Sequence, residues 1–217
     1  MSPYINLLLE GTLETILMVT LSLVISATLG VPVGVILTLT KSGGIAENKR
    51  IYGVLGWIVN MMRSIPFIIF MMLLIPFTRW IVGTSIGTIG TIVPLSISAA
   101  PFVARIVETA LLEINPQLIE SVVAMGATPF QIIKKVYFVE AIPSLLRNIP
   151  IIAIALLGYS AMAGAAGGGG LGDIAIRYGY YNYNTQIMII TIIILIALVE
   201  IIQTTFNILA KKLDKRL

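Results

Sequence analysis

Five runs of apolar residues, each long enough to cross a bilayer, dominate this chain and leave little room for any other fold. They lie at about 12–40, 54–77, 87–107, 149–166 and 186–210, and a helical span needs roughly 20 predominantly apolar residues. Of the 217 residues 58% are hydrophobic and 11% charged, more apolar surface than a soluble core of this length can bury. Lipid offers no hydrogen bonds, so the backbone of each run must pair within itself, as a helix does. The expected fold is therefore all-α: a polytopic membrane protein with five transmembrane helices. No internal repeat, low-complexity linker or second domain interrupts it, so 1–217 reads as a single transmembrane domain.

The prolines and basic residues add detail to that frame. Gly30, Pro32 and Gly34 predict a tilt or kink near the end of the first span. Pro66, Pro94 and Pro101 fall in the second and third spans, where a freed carbonyl needs a neighbouring helix or water. Broken spans of this kind fit a transport pathway and fit ordinary packing kinks equally well. Lys41, Lys49 and Arg50 follow span one; Arg105, Lys134, Lys135 and Arg147 lie at or between spans three and four; Lys211, Lys212, Lys215 and Arg216 form the tail. Only Arg79 and Arg177 fall on the opposite side. Basic residues concentrate on the cytoplasmic side, which predicts an external N-terminus and a cytoplasmic C-terminus, in keeping with an odd number of spans. Trp80, Tyr178, Tyr180, Tyr181 and Tyr183 sit where an interfacial aromatic belt would. No Lys or Arg occurs in the first fourteen residues, so no cleavable leader with a basic head is expected and the N-terminus should be retained.

One stretch, 115–143, is not explained by the bilayer. Asn115 can cap a helix whose first position is Pro116, where a missing N–H costs nothing. Gly126 is a ready left-handed stop. Thr128, Pro129 and Gln131 then form a capping box for a second helix. In it Phe130, Ile133, Val136 and Tyr137 recur on one face, while Lys134, Lys135 and Glu140 mark a wet face. A helix–turn–helix held between two spans, on the basic side, reads as a docking element for a soluble partner. Leu118, Val122, Met125 and Phe130 would supply a small apolar surface, some of it packing on the chain's own spans.

Several chemistries drop out. The chain has neither cysteine nor histidine, which removes disulfides, thiolate nucleophiles, imidazole bases and the usual zinc sites; no metal or cofactor is expected. The net charge of +4 reflects membrane orientation rather than nucleic-acid binding. Gly167, Gly169 and Gly172 satisfy G-x-G-x-x-G, but no strand precedes them and no helix is expected to open there, so a packed outer loop is the reading. No G-x-x-x-x-G-K-[ST] motif occurs, so the chain is not expected to hydrolyse ATP by a P-loop.

Intramembrane charge marks function by default. Arg63 falls within span two and Glu200 mid-way to late in span five. For Arg63 a structural hydrogen-bonding place near the cytoplasmic surface and a functional one both stand. For Glu200, snorkelling or a helix–helix contact is favoured over contact with solute. The two would pair if they face each other. In span four, Gly158-Tyr159-Ser160-Ala161-Met162 combines small residues, which allow close helix approach, with hydroxyls and a thioether. Tyr159, Ser160 and Met162 are accordingly candidates either for packing or for lining a passage.

The polar stretch resembles the cytoplasmic motif of ATP-binding-cassette importer permeases, E-A-A, three residues, G, and later I-x-L-P. Here it reads Glu120-Ser121-Val122, Gly126, Val136 and Phe138-Val139, with Ser121, Val122 and Val139 departing from the pattern. Further runs extend the likeness over essentially the whole chain: Arg63-Ser64-Ile65-Pro66-Phe67, Ile75-Pro76-Phe77-Thr78-Arg79, Gly83-Thr84-Ser85-Ile86-Gly87, Ala100-Pro101-Phe102, Ala124-Met125-Gly126-Ala127-Thr128-Pro129 and Gly169-Gly170-Leu171-Gly172. Together they make the chain similar to the permease subunits of methionine importers. The resemblance implies a homodimer in the bacterial inner membrane, two copies of a cytoplasmic ATPase, and an extracytoplasmic binding protein delivering L- and D-methionine. It implies alternating access driven by the ATPase, with Glu120, Ala124, Gly126, Ala127 and Thr128 at the coupling element. The alternatives are an importer permease for another amino acid or small solute and, in a different class, an ion-coupled secondary transporter. The second expects paired intramembrane acids, which the spans as drawn do not hold.

Overall fold

A computed structural model describes residues 2–213; Lys215 and Arg216 of the basic tail lie outside the described residues. All regular structure among these is helical. Helix α1 is Ser2–Thr40, 39 residues and about 58 Å at 1.5 Å per residue, well beyond the ~30 Å hydrocarbon core. Its hydroxyls do not stay orphaned in lipid. Thr12, Thr15, Thr38 and Thr40 each donate to the carbonyl four residues back, at 2.6, 2.7, 2.9 and 2.7 Å. The helix runs through Pro32 to Thr40 without a break in its assignment. Gly30 and Gly34 serve packing. A Cβ on either would stand 2.5 Å from the carbonyl oxygen of Ala100 or Ala104 on α5, Gly87–Leu112. This is a small-xxx-small contact, and α1 with α5 forms the most extensive helix pair in the molecule.

The second expected span is not one rod. Helix α2, Lys49–Ser64, is capped by the Asn48 side chain, which accepts from the Arg50 and Ile51 amides. It ends where Pro66 pushes Ile65 to an extended conformation, φ −81° and ψ 125°. Helix α3, Phe67–Leu73, then leaves at 103° to α2, and α4, Ile75–Val82, closes on the left-handed Gly83. Among the described residues, four helices are long and apolar enough to cross a bilayer: α1, α5, the helix running Pro129–Ala165, and α10, Thr185–Leu213. The bent α2–α3 pair, counted as one span, would bring the number to five.

The buried core lies between α1, α5 and the long fourth helix, around Met18, Leu95, Val103, Val107, Leu111, Ile132 and Leu156. Large apolar side chains elsewhere point outward, including much of α10. That outward apolar surface is what a helix meeting lipid presents.

Candidate functional site

The helix–turn–helix is built as its residues dictate. Helix α6, Pro116–Ala124, begins at Asn115, whose side chain accepts from the Gln117 amide at 2.9 Å. It stops at Gly126, whose φ is +80°, with the Gly126 and Ala127 amides donating to the Val123 and Val122 carbonyls at 2.9 and 3.3 Å. Helix α7, Pro129–Ile132, opens on the reciprocal box: the Thr128 hydroxyl accepts from the Gln131 amide at 3.4 Å, and the Gln131 side chain from the Thr128 amide at 2.8 Å.

The second helix departs from expectation in two ways. It does not end near Pro143. It continues through a π-helical stretch, Ile133–Tyr137, into α8, Phe138–Ala165, so it is the foot of a helix of spanning length. The buried face also differs. Ile132 and Tyr137 are buried, five residues apart as the wide turn requires, and Phe130 is 71% exposed. The helix–turn–helix is therefore one short helix joined by a tight turn to the base of a long helix of spanning length.

Its outer surface is apolar without being covered. Met125 is 77% exposed, and Val123 and Leu118 are exposed beside it. Val122 and Ala127 are half-buried and pack on the core beneath, with Ile119. An open cavity of about 360 Å³ is lined by Val122, Met125, Gly126, Ala127, Gln131, Lys135 and Val136. Glu120 is exposed and lines a separate recess with Lys41 and Tyr137. Ala124 and Gly126 face solvent, and no atom lies within 4 Å of where a Gly126 Cβ would be.

The candidate passage residues separate. Tyr159 stacks on Phe67, ring centroids 4.8 Å apart and nearly parallel, and lines a cavity of about 190 Å³ at the α2–α3 bend with Arg63, Ser98 and Phe102. Ser160 is buried and donates to its own helix at Leu157, 2.8 Å. Met162 is exposed and does not reach that cavity. Arg63 stands at the end of α2, its guanidinium 5.7 Å from the Phe102 ring centre. No ion pair joins it to Glu200, which is exposed on α10. That pairing is excluded because the two side chains point into different surroundings.

Reading charge from apolar runs alone missed the paired groups. Arg105 and Glu108 on α5 form an ion pair at 2.6 Å, with Glu108 buried. Tyr52 of α2 donates to Glu108 at 3.2 Å, and Arg105 donates to the Gly56 carbonyl at 3.2 Å and Asn60 at 2.9 Å. The i,i+3 spacing of Arg105 and Glu108 on one helix was the available signal. Near the other end, Asp173 is buried against Arg177, and its hydrogen bond raises the Arg177 pKa above the ordinary value.

The glycine-rich loop also corrects the sequence reading. A helix does open at it: α9, Gly170–Ile174. Its first amides are already taken by α1. The Glu14 carboxylate accepts from Gly170 at 2.7 Å and the Thr15 hydroxyl from Leu171 at 2.9 Å. Gly172 is pressed on Ala161, 2.5 Å from where its Cβ would lie to that Cα. An anionic side chain occupies the place a phosphate would need, so the nucleotide reading fails for a physical reason.

A bundle of spanning helices with one broken crossing and an exposed, capped helical foot defines a membrane-embedded transport component. Residues 30–217 match the family model described as binding-protein-dependent transport system inner membrane component, and the chain belongs to that family. The protein described as probable D-methionine transport system permease protein MetI of Vibrio cholerae is 49% identical over 211 residues, 97% of this chain and 94% of that one. The D-methionine transport system permease protein MetI of Escherichia coli K12 is 52% identical over 162 residues, 75% of each chain. A solved structure described as inward-facing conformations of the MetNI methionine ABC transporter superposes with a TM-score of 0.98 at 47% identity, covering 99% of this chain and 100% of that one. An amino acid ABC transporter at 23% identity and a TM-score of 0.69 shares the fold.

Proposed function

We propose that this chain is the membrane-spanning permease of an ATP-binding-cassette methionine importer, working as a homodimer on two cytoplasmic ATPase subunits. The single observation that carries the reading is the match, over nearly the full length and at 47% identity, to the permease fold of a methionine ABC transporter. The exposed foot around Met125 and Phe130 fits the mechanical need. A transport cycle powered by another chain requires a stiff element to carry motion into the spans. Here α6 is hinged on a helix that runs unbroken from Pro129 to Ala165. Glu120, Ala124, Gly126, Ala127 and Thr128 form or border the surface offered to the ATPase, and its closing would turn the permease from inward- to outward-facing. The substrate is L- or D-methionine brought by an extracytoplasmic binding protein, with the foot and C-terminus cytoplasmic and the N-terminus outside.

An ion-coupled carrier is less well supported. Among the described residues, the buried acids Glu108 and Asp173 are each ion-paired to an arginine rather than to a second acid, whereas an ion-coupled pathway calls for paired intramembrane acids. Uptake of labelled methionine into proteoliposomes decides between them. The importer reading requires uptake to depend on the ATPase subunit, internal ATP and the binding protein. Uptake by the permease alone, driven by a proton gradient, would overturn it.

A further inference from the structure

The cavity at the α2–α3 bend has a composition that helix packing does not account for. Pro66 breaks the crossing, and the space left, about 190 Å³, has room for roughly six waters at ~30 Å³ each. That is the scale of one amino acid, well short of the ~300–1,000 Å³ of drug-sized pockets. Its walls are largely aromatic, with the Tyr159–Phe67 stack and the Phe102 ring, and Met62 adds a thioether. Ser98 and Arg63 are among its lining residues. The Ser98 hydroxyl is buried and has no hydrogen-bond partner. Arg63 is the single charge in the lining. Unlike Arg105 and Arg177, it has no carboxylate partner among the described residues. Its recorded contact is the face of Phe102, which leaves the guanidinium fork free for a planar anion.

We infer that the permease itself carries a solute-binding site in this cavity, in which Arg63 holds the carboxylate of a small apolar amino acid. The inference rests on the import reading above and adds to it a residue-level site. The aromatic walls with Met62 take the side chain, including a thioether, which favours aromatic edges. No acid lines the cavity. The site should therefore require the carboxylate and tolerate loss of the ammonium charge, the reverse of a site built around an aspartate.

The test uses the permease–ATPase complex in nanodiscs without the binding protein, with labelled methionine as probe. Saturable binding is expected. N-acetylmethionine should compete nearly as well as methionine, and methionine methyl ester and methioninol at least about ten-fold worse, since a charge-assisted hydrogen bond is lost. Arg63→Gln should weaken binding roughly ten- to hundred-fold, with Arg63→Lys recovering part of it. The competitor series on the native complex needs no variant, so a poorly folding mutant leaves the test intact. The inference is overturned by ATP-driven uptake with the binding protein present alongside no saturable binding up to about 10 mM. It is equally overturned if the ester competes as well as the acid, or if Arg63→Gln binds unchanged. Absence of methionine uptake by the complete system would instead overturn the import reading on which the inference stands.

Discussion

Gly126 offers a direct measure of how far transport depends on the shape of the turn between α6 and α7. Its φ of +80° lies in the left-handed region, and a Cβ there would meet nothing within 4 Å. Replacement by alanine therefore has no steric term, and its cost is that of an L-residue held left-handed, ~1–2 kcal/mol. That is a factor of roughly 5–30 in the local equilibrium between the closed and opened turn. Gly126→Asn should cost less, since asparagine visits this region more readily. Gly126→Pro should cost most, because proline requires a φ near −65° and lacks the amide that donates to Val123. Hydrogen exchange of the amides at 125–127 in the assembled transporter should lose protection in the order Asn, Ala, Pro. Methionine imported per ATP hydrolysed should fall in the same order while membrane levels hold. If alanine matched glycine in exchange, or asparagine were worse than alanine, the turn would not be limited by backbone conformation. If exchange changed and coupling did not, Gly126 would have no part in transmission.

Gly34→Ala should force α1 off α5, because its Cβ would stand 2.5 Å from the Ala104 carbonyl oxygen. Overpacking of this kind costs ~1–3 kcal/mol, read as a lower thermal midpoint in detergent. Gly53→Ala, where nothing lies within 4 Å, should be neutral or gain up to ~1 kcal/mol, and an equal loss at both positions would refute the packing account. Glu108→Ala should destabilise by about 3–5 kcal/mol, since it strands Arg105 beside Gly56 and Asn60. The double change Arg105→Met, Glu108→Leu should recover most of that, and failure to do so would show the network doing more than neutralising itself. Glu120→Lys reverses an exposed charge and should reduce ATPase co-purification at physiological salt, with unchanged co-purification removing Glu120 from the docking surface.

Local rules written in the sequence carried much of this protein. Runs of bilayer length become helices whatever surrounds them, because lipid leaves the backbone no other partner. Asn115, Gly126 and the Thr128–Gln131 box set helix ends from within a few residues of themselves, and the structure has all three as read. What depends on which helix lies alongside was decided only by the fold. Pro66 bends its span by 103°, whereas Pro32, Pro94 and Pro101 sit inside continuous helices. Proline's cost is local, but whether it breaks a helix depends on neighbouring contacts. Glu14 gave no sign that it would cap a loop 156 residues away. Arg63 and Glu200, opposite charges that could have paired on paper and both exposed, were separated by packing: one borders the cavity at the α2–α3 bend and the other lies on α10. Tyr159, Ser160 and Met162 are near neighbours in sequence, yet the turn of one helix sends them to a cavity, to its own backbone and to the surface. Sequence determines which groups are present and where helices begin, because those energies are local. The environment of each charge or hydroxyl is a long-range property, and only the packed bundle sets it.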